Sequence, residues 1–200
     1  VEIGTVTPLQ QAGNPRPRVF RLVEDEAVIN RMGFPSRGSE FVRKKLNPVR
    51  KMSAFELVLG RRPKKSDVAL GVNLGKNKST PNEEAVFDYL SLLQYLAPHA
   101  DYLTINVSSP NTAGLRALQG RAALEELLTQ LHAQRQMEEA KLDKKIPLLV
   151  KLAPDLSESE LDDALGVILQ TRMDGVIATN TTLAREGLRS TRQGEAGGLS

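Results

Sequence analysis

Four short apolar runs, each followed by a segment of different periodicity, dominate the pattern of hydrophobic and polar positions. The runs predict buried strands over 68–75, 102–107, 146–152 and 173–179, because a short run that is apolar on both faces is typical of a covered strand. Apolar residues then recur at helical spacing after the first three runs, as in Leu124, Leu127, Leu128 and Leu131. Strands that alternate with helices indicate an α/β fold with a parallel sheet, either doubly wound or a β/α barrel.

Local signals refine this pattern. Segments 80–83 and 157–160 each predict a helix start with a capping box, Thr80 and Ser157 being the N-caps. Upstream, the pattern predicts strands over 1–6 and 19–22 and a helix over 39–49 that Pro48 ends. No low-complexity linker interrupts the 200 residues, so we expect a single domain.

A polar side chain stands near the carboxyl end of each central strand. These residues are Asn73, Asn106, Lys151 and Asn180, the last flanked by Thr179 and Thr181. Ligands of α/β sheets and barrels bind at the carboxyl ends of the strands, so a site there is favoured over coincidence. Lys151 lies within an apolar run, and a lysine is almost never buried without a partner, which indicates an anionic ligand group.

The loop after the second predicted strand is crowded with small polar groups. It contains Ser108, Ser109, Asn111 and Thr112, each of which needs a hydrogen-bond partner once it is buried. A site for a flat, hydrogen-bonding ligand needs such groups, whereas an ordinary Asn/Ser/Pro turn is the alternative.

Composition excludes several classes of function. The chain has no Cys and two His, so we expect no disulfide, no thiol nucleophile and no metal site. A net charge of +3 and few aromatic residues argue against nucleic acid as a partner. No apolar run is long enough to span a bilayer. The basic segment 43–65 is interpreted as a solvated surface insertion, with contact to an anionic lipid surface as the alternative.

Taken together, the motifs resemble class 2 dihydroorotate dehydrogenases, the quinone-dependent flavin enzymes of pyrimidine synthesis. The resemblance covers nearly the whole chain except about 47–67, and it departs at Pro35, where the family usually has Asn. Class 1 enzymes use Cys as the base, so the cysteine-free loop supports class 2. The matching segments are 1–8, 14–22, 30–34, 71–78, 106–116, 150–156, 178–182 and 197–200.

The resemblance implies a (β/α)8 TIM barrel of the FMN-dependent type, incomplete in this chain. Residues 1–200 would form part of one FMN-binding catalytic domain, whose N-terminal quinone-binding helices, first strand and last strands are expected outside this sequence. Ser109 would be the base that removes the C5 proton, and Arg21 would touch the quinone. The implied FMN contacts are Gly4, Thr5, Asn73, Asn106, Lys151 and Thr179. The implied dihydroorotate contacts are Asn30, Arg31, Met32, Gly33, Phe34, Asn106, Ser109, Asn111, Asn180 and Thr181.

The same resemblance implies partners and a location. These are dihydroorotate and orotate, ubiquinone or menaquinone, and a membrane surface reached through the N-terminal helices. The enzyme would be a peripheral membrane protein, of the mitochondrial inner membrane in a eukaryote or the cytoplasmic face of the inner membrane in a bacterium. Two alternatives stay open: a related FMN barrel that uses another pyrimidine or a soluble acceptor, and a non-catalytic anion- or membrane-binding module. Because a barrel needs eight strands, we expect this chain alone not to bind FMN tightly.

Overall fold

A parallel sheet of five strands forms the centre of the computed structural model, which describes residues 1–50 and 68–200. Its strands are β1 (Glu2–Val6), β4 (Gly71–Leu74), β5 (Tyr102–Asn106), β6 (Leu148–Leu152) and β7 (Gly175–Ala178). In the described residues their order across the sheet is β1-β4-β5-β6-β7, and every neighbouring pair is parallel. Their register pairs Asn106 with Lys151, so the carboxyl ends of β5 and β6 are level.

Helices follow the strands, as the alternating pattern predicts. The helices are α1 (Ser39–Arg50), α2 (Ala85–Leu96), α3 (Arg121–Leu142) and α4 (Glu158–Gln170). Short 3-10 turns lie at Val23–Asp25, Asn82–Glu84, Ala97–His99 and Leu115–Gln119. The apolar faces of α2, α3 and α4 pack on the sheet, and fully buried leucines such as Leu92 and Leu128 fill the layer between them.

A small antiparallel sheet lies beside the parallel one. It joins β2 (Val19–Leu22), β3 (Ala27–Asn30) and β8 (Gly198–Leu199), with β3 in the middle. Glu26 adopts the left-handed conformation that the tight turn between β2 and β3 requires. Pairing of β8 with β3 brings the chain that follows β7 back beside Asn30.

Most of the predicted elements are confirmed, with boundaries that shift by at most three residues. The capping box of α4 is confirmed, since the Ser157 hydroxyl accepts from the Glu160 N–H and the Glu160 carboxylate accepts from the Ser157 N–H. The capping box at Thr80 is wrong. Its hydroxyl donates to Asp88 Oδ2 at 2.9 Å instead, and a 3-10 turn precedes α2.

Two further features of the structure differ from the sequence-based expectations. Helix α1 extends to Arg50, beyond Pro48, because the fixed φ of proline is compatible with helical backbone even though one hydrogen bond is lost. Strand β3 was not predicted.

The basic segment 43–65 lies mostly outside the described residues. Of its described part, Arg43 and Lys44 form ion pairs with Glu40. None of the described helices is both long enough and apolar enough to cross a bilayer.

Candidate active site

A polar pocket of about 210 Å³ opens at the carboxyl ends of β1, β4, β5 and β6. The lining residues are Glu2, Gly4, Thr5, Asn30, Met32, Gly33, Phe34, Asn73, Asn106, Ser109, Asn111, Lys151 and Asn180. Twelve of these thirteen are residues singled out from the sequence, and the lining comes from six separate segments of the chain. The structure therefore brings together side chains that lie up to 178 positions apart, from Glu2 to Asn180.

Strand β1 enters the pocket through an irregularity in its pairing with β4. The register shifts between Ile3 and Val6, and a bulge of this kind bends the strand and changes the direction of its side chains. Gly4 has a φ of +116°, and a Cβ there would lie 2.6 Å from the Asn73 carbonyl oxygen, so only glycine fits. The next residue then points its hydroxyl inward, where Thr5 Oγ1 donates to Asn73 Oδ1 at 2.6 Å.

Asn106 is the centre of the hydrogen-bond network at the base of the pocket. Its Nδ2 donates to Thr5 Oγ1 at 3.1 Å and to Asn73 Oδ1 at 3.0 Å, which fixes its amide orientation. Its Oδ1 accepts from the Ser108 hydroxyl at 3.0 Å and from Asn180 Nδ2 at 3.4 Å. The backbone carbonyl of Asn106 accepts from the buried Tyr89 hydroxyl at 2.9 Å, and burial raises the pKa of that phenol. One amide thus ties β1, β4, β5 and the end of β7 together.

Glu2 and Tyr89 are two members of this site that the sequence analysis missed. The Glu2 carboxylate accepts from Asn73 Nδ2 at 2.9 Å and from the Thr104 hydroxyl at 2.7 Å, so it orients the Asn73 amide. Glu2 lies in a predicted strand whose other residues are mostly apolar, and this contrast is a signal that was available. Tyr89 lies on the apolar face of α2, where nothing in the sequence distinguishes it from a core residue.

Lys151 supplies a positive charge to the pocket wall. Its amine has no hydrogen bond or ion pair with any residue in 1–50 or 68–200. The side chain is half-buried rather than buried, because Leu149 and Lys151 lie on the less covered face of β6. The prediction of an anionic ligand group rested on full burial. It now rests on an unpaired ammonium that faces a polar pocket.

The Ser109 loop closes one side of the pocket. Ser109 is only 4% exposed, and its Oγ accepts from the Asn111 N–H at 3.2 Å. Asn111 Nδ2 donates to Asn30 Oδ1 at 3.3 Å, and the Asn111 carbonyl accepts from Asn14 Nδ2 at 3.0 Å. The Thr112 hydroxyl in the same loop forms no direct hydrogen bond with Ser109.

The comparisons with known proteins agree with this geometry. A family model described as dihydroorotate dehydrogenase matches residues 1–200. The chain belongs to the dihydroorotate dehydrogenase family. It is 48% identical to "Dihydroorotate dehydrogenase (quinone)" of Idiomarina loihiensis over 200 residues, and 49% identical to the protein of the same name from Thermus thermophilus over 199. Each match takes in the whole chain but 55% and 51% of these relatives, so the chain spans about half their length.

Solved dihydroorotate dehydrogenases show which α/β fold this is. The Eimeria tenella enzyme in complex with ferulenol matches the whole chain with a TM-score of 0.86 and 41% identity, and the match covers 55% of that enzyme. Its ligand-free form gives the same TM-score, 42% identity and 56% coverage. The fold is therefore a TIM barrel of the dihydroorotate dehydrogenase type, incomplete in this chain, and the doubly wound alternative is wrong.

Four residues that the family resemblance assigns to ligands do not line the pocket. Arg31 pairs with Glu195 at 2.8 Å and lies over the Phe20 ring. Thr181 donates its hydroxyl to its neighbour Asn180. Thr179 is exposed beyond the end of β7, and Arg21 is exposed on β2. Their assignment to FMN, dihydroorotate and quinone stays a prediction.

No group of three or more His, Asp or Glu side chains in the described ranges could hold a metal ion. The polar groups that line the pocket are amides, hydroxyls, the Lys151 ammonium and the Glu2 carboxylate, which accepts from Asn73 and Thr104. Planar amides present a donor and an acceptor together, which suits the edge of a flat heterocycle.

Proposed function

We propose that the protein to which this chain belongs oxidises (S)-dihydroorotate to orotate in de novo UMP synthesis, with FMN as hydride acceptor and a quinone as final electron acceptor. The observation that carries the proposal is the pocket in which Asn30, Asn106, Asn111 and Asn180 surround Ser109 and Lys151, whose amine has no partner among the described residues. The name of the relatives, dihydroorotate dehydrogenase (quinone), supports the same reaction. Residues 1–200 would then be one part of a single FMN-binding barrel domain.

The donor set fits FMN. Thr5, Asn73 and Asn106 present hydroxyl and amide groups that hydrogen-bond to one another at the pocket, and Lys151 offers a cation without a partner among the described residues. We assign these residues and Gly4 to FMN, with Thr179 as a further contact. The bound cofactor would supply a hydride acceptor, and the Lys151 ammonium would stabilise negative charge on a pyrimidine-like edge of the ring.

The asparagines fit a pyrimidine substrate. Asn30 and Asn111 are already hydrogen-bonded to each other, so their amides are held in place before a ligand arrives. Asn180 Nδ2 donates to Ser108 Oγ at 3.0 Å, and this fixes the third amide. Together with Asn106 they would bind the imide and carboxylate groups of dihydroorotate. Loop 30–34 and Thr181 would complete the substrate site.

Ser109 would remove the C5 proton of dihydroorotate. The electron pair of the C5–H bond then forms the C5=C6 double bond, while hydride leaves C6 with its own pair. An alkoxide needs stabilisation near neutral pH, and the Asn111 N–H that donates to Ser109 Oγ at 3.2 Å supplies one hydrogen bond. Burial of the loop keeps bulk water away from the proton that is transferred.

A quinone, ubiquinone or menaquinone, would take up the electrons near Arg21, in a peripheral protein at a membrane surface. The N-terminal helices expected from the resemblance would make the membrane contact. We assign the protein to the mitochondrial inner membrane in a eukaryote and to the cytoplasmic face of the inner membrane in a bacterium.

The test is orotate formation by the complete gene product, with a soluble quinone analogue or fumarate as acceptor. The proposal expects turnover with quinone, and it expects Ser109→Ala to lower kcat about 100- to 10,000-fold. Ser159→Ala, an exposed serine in α4, is the matched control and should leave kcat unchanged. Turnover with fumarate alone would instead favour a related FMN barrel with a soluble acceptor. Full activity of Ser109→Ala would refute the role of Ser109.

A further inference from the structure

The Arg116 guanidinium joins three loops at the carboxyl end of the sheet. Its Nε donates to the Ser108 carbonyl at 3.0 Å, in the loop after β5. One terminal nitrogen donates to Asp155 Oδ2 at 2.7 Å, in the loop after β6, and the other donates to the Thr181 carbonyl at 3.0 Å, after β7. All three guanidinium nitrogens are therefore used, each toward a different loop.

The two carbonyls that Arg116 holds belong to neighbours of pocket residues. Ser108 precedes Ser109, and Thr181 follows Asn180. Asn180 has further support, since its Oδ1 accepts from the Thr181 N–H at 2.8 Å and its Nδ2 donates to Ser108 Oγ. Among residues 1–50 and 68–200, the Ser109 side chain hydrogen-bonds only to the Asn111 N–H within the same loop. Loss of Arg116 should therefore displace Ser109 more than Asn180.

Asp155 keeps the guanidinium in this position. Burial by itself raises the pKa of Asp155, but hydrogen bonds from the Thr182 hydroxyl, the Leu183 N–H and Arg116 outweigh it and hold that pKa below its usual value. The carboxylate stays charged at neutral pH and holds the guanidinium by a terminal nitrogen, while Nε donates to Ser108. Both side chains are about three-quarters buried, with 22% and 24% exposure, so solvent screens this pair only in part.

We propose that Arg116 is a positioning residue, which places Ser109 for proton removal by holding the Ser108 carbonyl against the loops after β6 and β7. The inference rests on the proposed function, because the expected change in kcat refers to dihydroorotate oxidation. A lysine cannot replace Arg116, because an ammonium on a flexible stem lacks the rigid planar fork that reaches three acceptors in fixed directions.

The test compares Arg116→Lys with Arg121→Lys in the complete gene product. Arg121 forms an ion pair with Asp163 at 2.6 Å, much like Arg116 with Asp155, but it is exposed and lies away from the pocket. Arg116→Lys should lower kcat about 10- to 100-fold while KM for dihydroorotate changes less than about threefold, since small displacements of a reacting group have effects of this size. Arg121→Lys should change neither. Asp155→Asn, which keeps the side-chain volume, should shift kcat in the same direction by a smaller factor.

Hydrogen–deuterium exchange of peptides that cover 106–113 provides a readout without catalysis. We expect faster exchange there in Arg116→Lys and wild-type exchange in Arg121→Lys. If the wild type does not oxidise dihydroorotate, the proposed function fails, while the exchange result still tests the positioning role. Unchanged exchange in Arg116→Lys, or a kcat within about twofold of wild type, would overturn the inference.

Discussion

Replacing Asn106 by Asp changes one atom of the central amide and tests the network on which the pocket depends. In the wild type, Asn106 Nδ2 donates to Thr5 Oγ1 at 3.1 Å and to Asn73 Oδ1 at 3.0 Å. In the variant an oxygen would face these two oxygens. The site is only 4% exposed, so water cannot restore the lost hydrogen bonds.

The expected cost follows from these two contacts. A buried polar group left without its partner costs about 1–3 kcal/mol, so Asn106→Asp should lower the free energy of unfolding by roughly 2–6 kcal/mol near neutral pH. Burial should also raise the pKa of the new carboxyl group above its unfolded value. A raised folded-state pKa means that the deficit is smallest at low pH, where the acid is neutral and can donate one hydrogen bond. The deficit grows as pH rises through the folded-state pKa.

The assay is urea unfolding of the complete gene product, followed by circular dichroism at about pH 5 and about pH 8. Asn82→Asp is the comparator, since the Asn82 amide donates a single hydrogen bond to the Gly114 carbonyl at an exposed position and its loss should cost about 1 kcal/mol or less. A deficit for Asn106→Asp no larger than that of Asn82→Asp, or one that does not change with pH, would refute the reasoning.

Three further predictions concern stability and cofactor binding. Arg135→Met should lower the free energy of unfolding by about 1–3 kcal/mol, because the 9%-exposed Arg135 pairs with Asp174 at 2.6 Å. Arg121→Met should lower it by less than about 1 kcal/mol, and equal losses in urea titrations would contradict this. Hydrogen bonds from Arg43, then Tyr95 and Lys44, lower the pKa of Glu40 to about 2. The stabilising effect of this carboxylate is therefore present above its unfolded pKa and lost as pH falls toward 2. The difference in melting temperature between wild type and Glu40→Gln should shrink over that range, and a constant difference would contradict it. The 200-residue chain alone should not retain FMN on gel filtration, since its described parallel sheet has five of the eight strands of a barrel; stoichiometric flavin absorbance would disprove this.

Much of the fold was predictable because apolar runs and helical periodicity report burial directly. Strands β4 to β7 and the helices between them follow from that pattern, and Ser157 and Glu160 form the capping box that their spacing predicts. The failures have a common cause, which is competition from tertiary contacts. Thr80 has the sequence of an N-cap, but Asp88, eight residues further on, offers its hydroxyl a carboxylate acceptor. Strand β3 exists through its pairing with β2 and β8, and β8 is far away in the chain.

The site was predictable to the extent that its residues stand at strand ends. Asn73, Asn106 and Lys151 needed only the rule that parallel strands direct their carboxyl ends to one edge. Residues that orient other pocket groups are harder to predict. Glu2 orients the Asn73 amide, and its one sequence signal is the contrast with the mostly apolar residues of its strand. Tyr89 supports a backbone carbonyl, and that role has no local sequence signal. Asn30 came from family resemblance alone, because a loop residue reaches the pocket only through the fold.

The most direct test of the central claim is anaerobic mixing of the complete, flavin-loaded gene product with dihydroorotate, followed by a quinone analogue. We expect dihydroorotate to bleach the flavin absorbance with one orotate formed per flavin, and quinone to restore the absorbance. Ser109→Ala should slow the bleaching step about 100-fold or more, while Ser159→Ala should leave it unchanged. Failure of dihydroorotate to bleach the flavin would contradict the proposed reaction.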